Sequence, residues 1–97
     1  MSLQFLDTLE RVIKTRLEQA PEGSYTARLA AQGTVKVAQK VGEEGVELAL
    51  AAVVEDEARV TSEADDLLYH LTLLLAVRGL SLADVVAELE RRHGAAR

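Results

Sequence analysis

The chain has 97 residues, which is room for one domain, and its 48% hydrophobic and 28% charged residues form a globular composition rather than a disordered one. No apolar run reaches the roughly eighteen residues of a membrane span, and a net charge of −5 without a basic cluster argues against nucleic acid as a partner. Cysteine is absent, which excludes disulfides, thiolate chemistry and cysteine-based zinc sites together.

The opening MSLQFLDTLERV lacks a basic segment followed by an apolar core and a cleavage site, so no secretory signal is expected and the cytoplasm is the expected compartment. Phe5, Leu6, Leu9, Val12, Ile13 and Leu17 recur at helical spacing and predict a first helix from about Ser2 to Gln19, stopped by Pro21-Glu22-Gly23. Ser24 is placed to cap a short helical turn through Ala31, ended by Gly33. Thr34 is read as the cap of a long helix to about Asp56. The next helix runs from about Glu57 to Arg78, where Gly79 supplies a stop. Ser81 and Asp84 resemble a capping box, with aspartate in place of Glu or Gln, and open a last helix to about His93. Residues 94–97 are expected to fray. The whole chain, 1–97, thus reads as one all-α domain, an antiparallel bundle of four to five helices.

Residues 67–77, LLYHLTLLLAV, are apolar nearly all the way round a helix. Such a helix must be covered on every side. Two long helices and two shorter ones can hardly do that within so short a chain, so a homodimer packed around this segment is expected.

Acids interrupt two of the apolar stripes. Positions 37, 41, 44, 48 and 52 read Val, Val, Glu, Leu, Ala, and positions 63, 67, 70, 74 and 77 read Glu, Leu, His, Leu, Val. Glu47 lies one turn beyond Glu44, beside Glu43, and Asp66 lies beside Glu63. A short connection around residues 54–58 makes the two helices antiparallel and sets Glu47 level with Glu63 and Glu44 level with Asp66. Any of these acids alone is at home on a solvated helix face. Four of them converging in an oily groove must protonate or find cations, and a hard divalent ion such as Mg²⁺, with Mn²⁺ as a substitute, suits oxygen ligands. Lys36 and Lys40 either form ion pairs along the helix or meet phosphate oxygens at the groove mouth. His70 reads as a packed, hydrogen-bonded core histidine rather than a ligand. Gly45 costs about 1 kcal/mol relative to alanine inside a helix, and close approach of a neighbouring helix or ligand is one reason to keep it.

SYTARL (24–29), KVGEEGVE (40–47) and EADDLLYHLTLLLAVRGLSLADVVAELERRHG (63–94) together resemble the phosphoribosyl-ATP pyrophosphatase family of histidine biosynthesis. That family sits among the all-α nucleotide pyrophosphatases typified by MazG, with the signature EExxE followed by ExxD. The resemblance implies Glu44, Glu47, Glu63 and Asp66 as magnesium ligands. It implies catalytic roles for Glu43, Glu44 and Glu47, with Glu43 as an accessory or water-positioning acid. On the substrate side it implies Ser24, Tyr25, Thr26, Arg28, Lys36 and Lys40. Gly45, where the family is expected to carry alanine, and Ser62, where a second acid often precedes Glu63, depart from its pattern without touching the four implied ligands.

The implied reaction is magnesium-dependent hydrolysis of 1-(5-phosphoribosyl)-ATP to 1-(5-phosphoribosyl)-AMP and pyrophosphate, the second step of histidine biosynthesis. The partner is then a small nucleotide, with no membrane and no nucleic acid. Some members are fused to a cyclohydrolase that opens the adenine ring; a chain of this length without cysteine is expected to perform one step only. Two competing expectations are a house-cleaning (d)NTP pyrophosphatase and a non-catalytic helical dimerisation module. The first commonly needs an aromatic base pocket, and the chain has no Trp and only Phe5, Tyr25 and Tyr69.

Overall fold

The computed structural model describes residues 3–94. Five α-helices follow one another, α1 (Phe5–Gln19), α2 (Tyr25–Ala31), α3 (Thr34–Val54), α4 (Glu57–Val77) and α5 (Leu82–Leu89), with no strand among the described residues. The fold is all-α, as the composition and periodicity predict. A π-helical turn, Glu90–Gly94, prolongs α5. The expected start of the first helix at Ser2 and the expected fraying of residues 95–97 lie outside the described residues; Leu3 and Gln4 form a turn ahead of α1.

Local chemistry sets the boundaries. Ser24 caps α2 by accepting a hydrogen bond from the Ala27 amide at 3.1 Å. Thr34 is not the cap of α3, contrary to the sequence reading: Gly33 holds that place at φ 99°, and its carbonyl accepts from the Lys36 and Val37 amides. Only glycine adopts that backbone at no steric cost, so one residue both ends α2 and opens α3. Asp56 likewise belongs to the following helix, its side chain accepting from the Arg59 amide at 2.9 Å. An aspartate whose carboxylate meets free amides and the positive helix end is worth more as an N-cap than as a last residue. Helix α4 closes in a Schellman motif: Gly79, at φ 76°, donates to the Ala76 carbonyl, and Leu80 donates to that of Leu75. The capping box of Ser81 and Asp84 forms reciprocally.

Helices α3 and α4, 21 residues each, are joined only by Glu55 and Asp56 and share the most extensive packing in the chain. The short connection together with that packing makes them an antiparallel hairpin. Helices α1 and α2 cover one end of it. There Ile13, Leu29, Val37 and Leu73, one from each of α1 to α4, form the buried core, with Leu9, Leu17, Tyr69, Leu74, Ala76 and Val77 around them. Phe5 and Val12 face outward despite their helical spacing. The α3 stripe also turns: Ala51 is buried and Ala52 exposed, because the buried positions continue from Leu48 by three residues rather than four.

Helix α5 with its π turn leaves α4 at 103°. Its start is fixed by Glu10 of α1, whose Oε2 accepts from the Leu82 amide at 2.8 Å. The rest, residues 83–94, is exposed.

A Cβ built on Gly45 meets nothing within 4 Å, so close approach by another helix of this chain does not account for the glycine. Gly45→Ala is therefore expected to stabilise the chain by roughly 0.5–1 kcal/mol, read from the urea midpoint at unchanged m-value.

Candidate metal centre

Glu44 on α3 and Glu63 on α4 are both buried, at 7% and 4% exposure, and Asp66 follows one turn after Glu63 on the exposed rim. Each offers one carboxylate oxygen, and the three oxygens lie within 4.8 Å of one another. The hairpin makes this meeting possible: Glu44 replaces a core residue on the α3 face turned to α4, and the i, i+3 pair Glu63/Asp66 sits on the α4 face turned back to it.

Two cations reach the cluster from one helical turn upstream. Lys40 Nζ stands 3.5 Å from Glu44 Oε1 and 3.5 Å from Glu43 Oε1, and Arg59 Nη2 stands 2.9 Å from Glu63 Oε1. The second oxygen of Glu63, Oε2, is buried without a hydrogen-bond partner. A buried carboxylate oxygen left unpaired is costly, and a cation beside it removes that cost. An all-oxygen donor set of three carboxylates, one with an orphaned oxygen, fits a hard divalent ion such as magnesium.

Glu47 lies outside this group of three. Its side chain is exposed at the hairpin face and shares a shallow cleft with Leu50, Ala51, Val54, Glu55, Arg59 and Glu63. The negative charge of Glu44, then burial, then Glu63 push its carboxyl above the ordinary value. A raised folded-state value favours the protonated form, so its contribution to stability is full below the unfolded-state pKa and is lost as pH rises through the folded one. Without metal, Glu47→Gln is therefore expected to raise the thermal midpoint more at pH 7 than at pH 4; differential scanning calorimetry of parent and variant across pH 4–7 checks it.

Glu43 is exposed and accepts from Gln39 Nε2 at 2.9 Å, which with Lys40 holds its carboxyl below the ordinary range. Burial alone works against the charge of Lys40, yet Tyr25, Glu44 and Glu43 together hold its ammonium above the usual lysine value.

Among the substrate-side residues, Ser24 is buried by its capping role and Thr26 is buried at 6% exposure, with its hydroxyl bonded to that of Tyr69. Tyr25 is 43% exposed; its phenol, 2.8 Å from His70 Nε2, is held above its ordinary value by burial, with Lys40 opposing and Tyr69, Glu44 and Asp66 reinforcing. Arg28 is exposed and Lys36 half-buried. His70 is buried and has both ring nitrogens in hydrogen bonds, the other reaching the Asp66 carbonyl at 2.7 Å. Sequence reasoning missed Arg59. Its position four residues before Glu63 repeats that of Lys40 before Glu44, and that symmetry was the available signal.

Fold and site thus define an all-α hairpin carrying a carboxylate cluster suited to a divalent cation. The family described as phosphoribosyl-ATP pyrophosphohydrolase matches residues 6–93, and the chain belongs to it. It is 55% identical over 92 residues to the phosphoribosyl-ATP pyrophosphatase of Pyrobaculum calidifontis, covering 95% of this chain and 98% of that protein. It is 57% identical over 89 residues to the histidine biosynthesis bifunctional protein HisIE of Pasteurella multocida and 54% identical over 89 residues to that of Escherichia coli, each match covering 92% of this chain. The chain spans 44% of the length of these two bifunctional relatives.

Proposed function

We propose that the chain is a phosphoribosyl-ATP diphosphatase of histidine biosynthesis, hydrolysing 1-(5-phosphoribosyl)-ATP to 1-(5-phosphoribosyl)-AMP and pyrophosphate with magnesium. The supporting observation is the convergence of Glu44, Glu63 and Asp66 around the orphaned Glu63 oxygen. These three residues would hold the ion, with Glu47 on the adjoining turn as a further carboxylate within reach of its charge. Bound there, magnesium supplies charge neutralisation for the triphosphate and acidifies a water. The chain's own part is to fix the carboxylates on two packed helices. Lys40, which is 27% exposed at its side chain and paired with Glu43 and Glu44, adds positive charge where phosphate oxygens enter. Glu43, exposed and kept ionised by Gln39, is placed to accept a hydrogen bond from water at the rim.

The test is product analysis with phosphoribosyl-ATP, with and without a chelator. Pyrophosphate and the monophosphate product, lost on chelation, are expected. A preference for ordinary dNTPs would assign the chain to the house-cleaning pyrophosphatases instead, and no turnover of either would leave a helical dimerisation module.

The working form is a homodimer. The Cα radius of gyration, 14.8 Å, exceeds the about 12.5 Å of a compact chain of this length. Helix α3 exposes Val46, Leu50 and Val53 at 61%, 62% and 80%. Leu68, within the apolar run of α4, is 37% exposed. A second copy is the expected cover for these surfaces. Sedimentation equilibrium is expected to give twice the chain mass, and Leu50→Glu to shift the population to monomer; a monomeric parent protein at micromolar concentration would overturn the assignment.

A further inference from the structure

The first turn of α2 is strapped to α4 by two side-chain bonds. Thr26 pairs with Tyr69, and the Tyr25 hydroxyl lies 2.8 Å from His70 Nε2. The three rings pack together, His70 standing edge-on at 87° to both Tyr25 and Tyr69, with centroids 5.8 and 5.2 Å away. On its other side, His70 Nδ1 is 2.7 Å from the main-chain carbonyl of Asp66.

This geometry sets the polarity of the strap. A carbonyl oxygen has no hydrogen to give, so Nδ1 carries the imidazole proton. In the neutral ring Nε2 then holds only a lone pair, and the Tyr25 hydroxyl must donate to it. A phenol has a single hydrogen. Once it is committed to His70, the Tyr25 oxygen has only acceptor capacity left. It keeps that capacity at a partly exposed position within the electrostatic reach of Lys40, Glu44 and Asp66.

We propose that His70 is a positioning residue that makes Tyr25 a hydrogen-bond acceptor at the edge of the acidic groove, where it receives a sugar hydroxyl of the substrate rather than a phosphate. Phosphate oxygens are themselves acceptors, and an acceptor-only phenol repels them. A ribose hydroxyl can donate, and is complementary. The assignment to the sugar rests on the nucleotide reading above; the orientation of Tyr25 by His70 does not.

The first arm of the test is therefore independent of turnover. Nitrogen-15 shifts of the imidazoles in the ligand-free protein, recorded at pH 8, identify which ring nitrogen is protonated. The chain has only two histidines, so the His70 signals follow from comparison with His70→Gln. A proton on Nδ1 and a bare Nε2 are expected. A proton on Nε2, alone or together with Nδ1, overturns the proposal.

The second arm is kinetic. Tyr25→Phe and His70→Asn are each expected to raise KM for phosphoribosyl-ATP roughly three- to tenfold, the effect of one lost hydrogen bond, while inhibition by inorganic pyrophosphate stays unchanged. His70→Gln, which can offer an amide oxygen near the place of Nε2, is expected to recover most of the loss. The double variant Tyr25→Phe/His70→Asn should be no worse than Tyr25→Phe. Equal weakening of nucleotide and pyrophosphate in Tyr25→Phe would make Tyr25 a phosphate donor and overturn the sugar assignment. If the parent protein releases no pyrophosphate at all, the nucleotide reading falls with the sugar assignment. The bare Nε2 would then still uphold the orientation of Tyr25 by His70.

Discussion

Glu44→Gln is expected to abolish turnover while leaving the helices and the oligomeric state intact. Glu44 is the only member of the acid group of three contributed by α3; the other two come from α4. An amide of nearly the same shape keeps the packing but removes the negative charge that draws a divalent ion. Metal-dependent stabilisation of a phosphoryl transition state is worth several kcal/mol, so a fall of about 10²–10⁴ in pyrophosphate release is the expected scale. Without metal the same change should leave the thermal midpoint at or above that of the parent. It removes a buried negative charge beside Glu63 and Asp66, while the freed partner Lys40 keeps access to Glu43 and to solvent. Activity within a few-fold of the parent, in a variant with unchanged circular dichroism, would count against the site.

Magnesium is expected to raise the thermal midpoint, and a chelator to reverse the rise. An ion that binds only the folded chain stabilises it by about 2.7 kcal/mol when its free concentration is 100 times Kd. For a domain of this size each kcal/mol moves the midpoint by about 4–8 °C, so a rise of roughly 10–20 °C is the expected order. The physical source is the unpartnered Glu63 oxygen together with the crowding of three carboxylate oxygens within 4.8 Å. Within the group of three, Lys40 pairs with Glu44 and Arg59 with Glu63, and neither reaches Asp66 in an ion pair among the described residues. Glu63→Gln should remove most of the metal-dependent rise. A parent protein whose midpoint is unmoved by millimolar Mg²⁺ and Mn²⁺ would refute a resident divalent ion.

The sequence by itself determined the helices and most of their ends, because caps and stops are local chemistry. Ser24, Gly79 and the Ser81/Asp84 box act through atoms within five residues of themselves. Thr34 and Asp56 lie where the true boundary falls a residue or two from the expected one: Gly33, at positive φ, takes the cap position ahead of Thr34, and the Asp56 carboxylate caps α4 instead of ending α3. The i, i+3 spacing of Glu63 and Asp66 and the intrusion of Glu44 into an apolar stripe were equally legible, since one helix sets both.

Only the tertiary structure decided what crosses between helices. The roll of α3 against α4 brought Glu44, Glu63 and Asp66 together and left Glu47 at the edge, a difference of fractions of a turn that side-chain periodicity does not resolve. The Tyr25–His70 and Thr26–Tyr69 bonds join residues 45 and 43 positions apart, and the Glu10 bond to the Leu82 amide spans 72. Such contacts depend on the helix crossing, which is the summed result of all the packing, so no short stretch of sequence carries their signal.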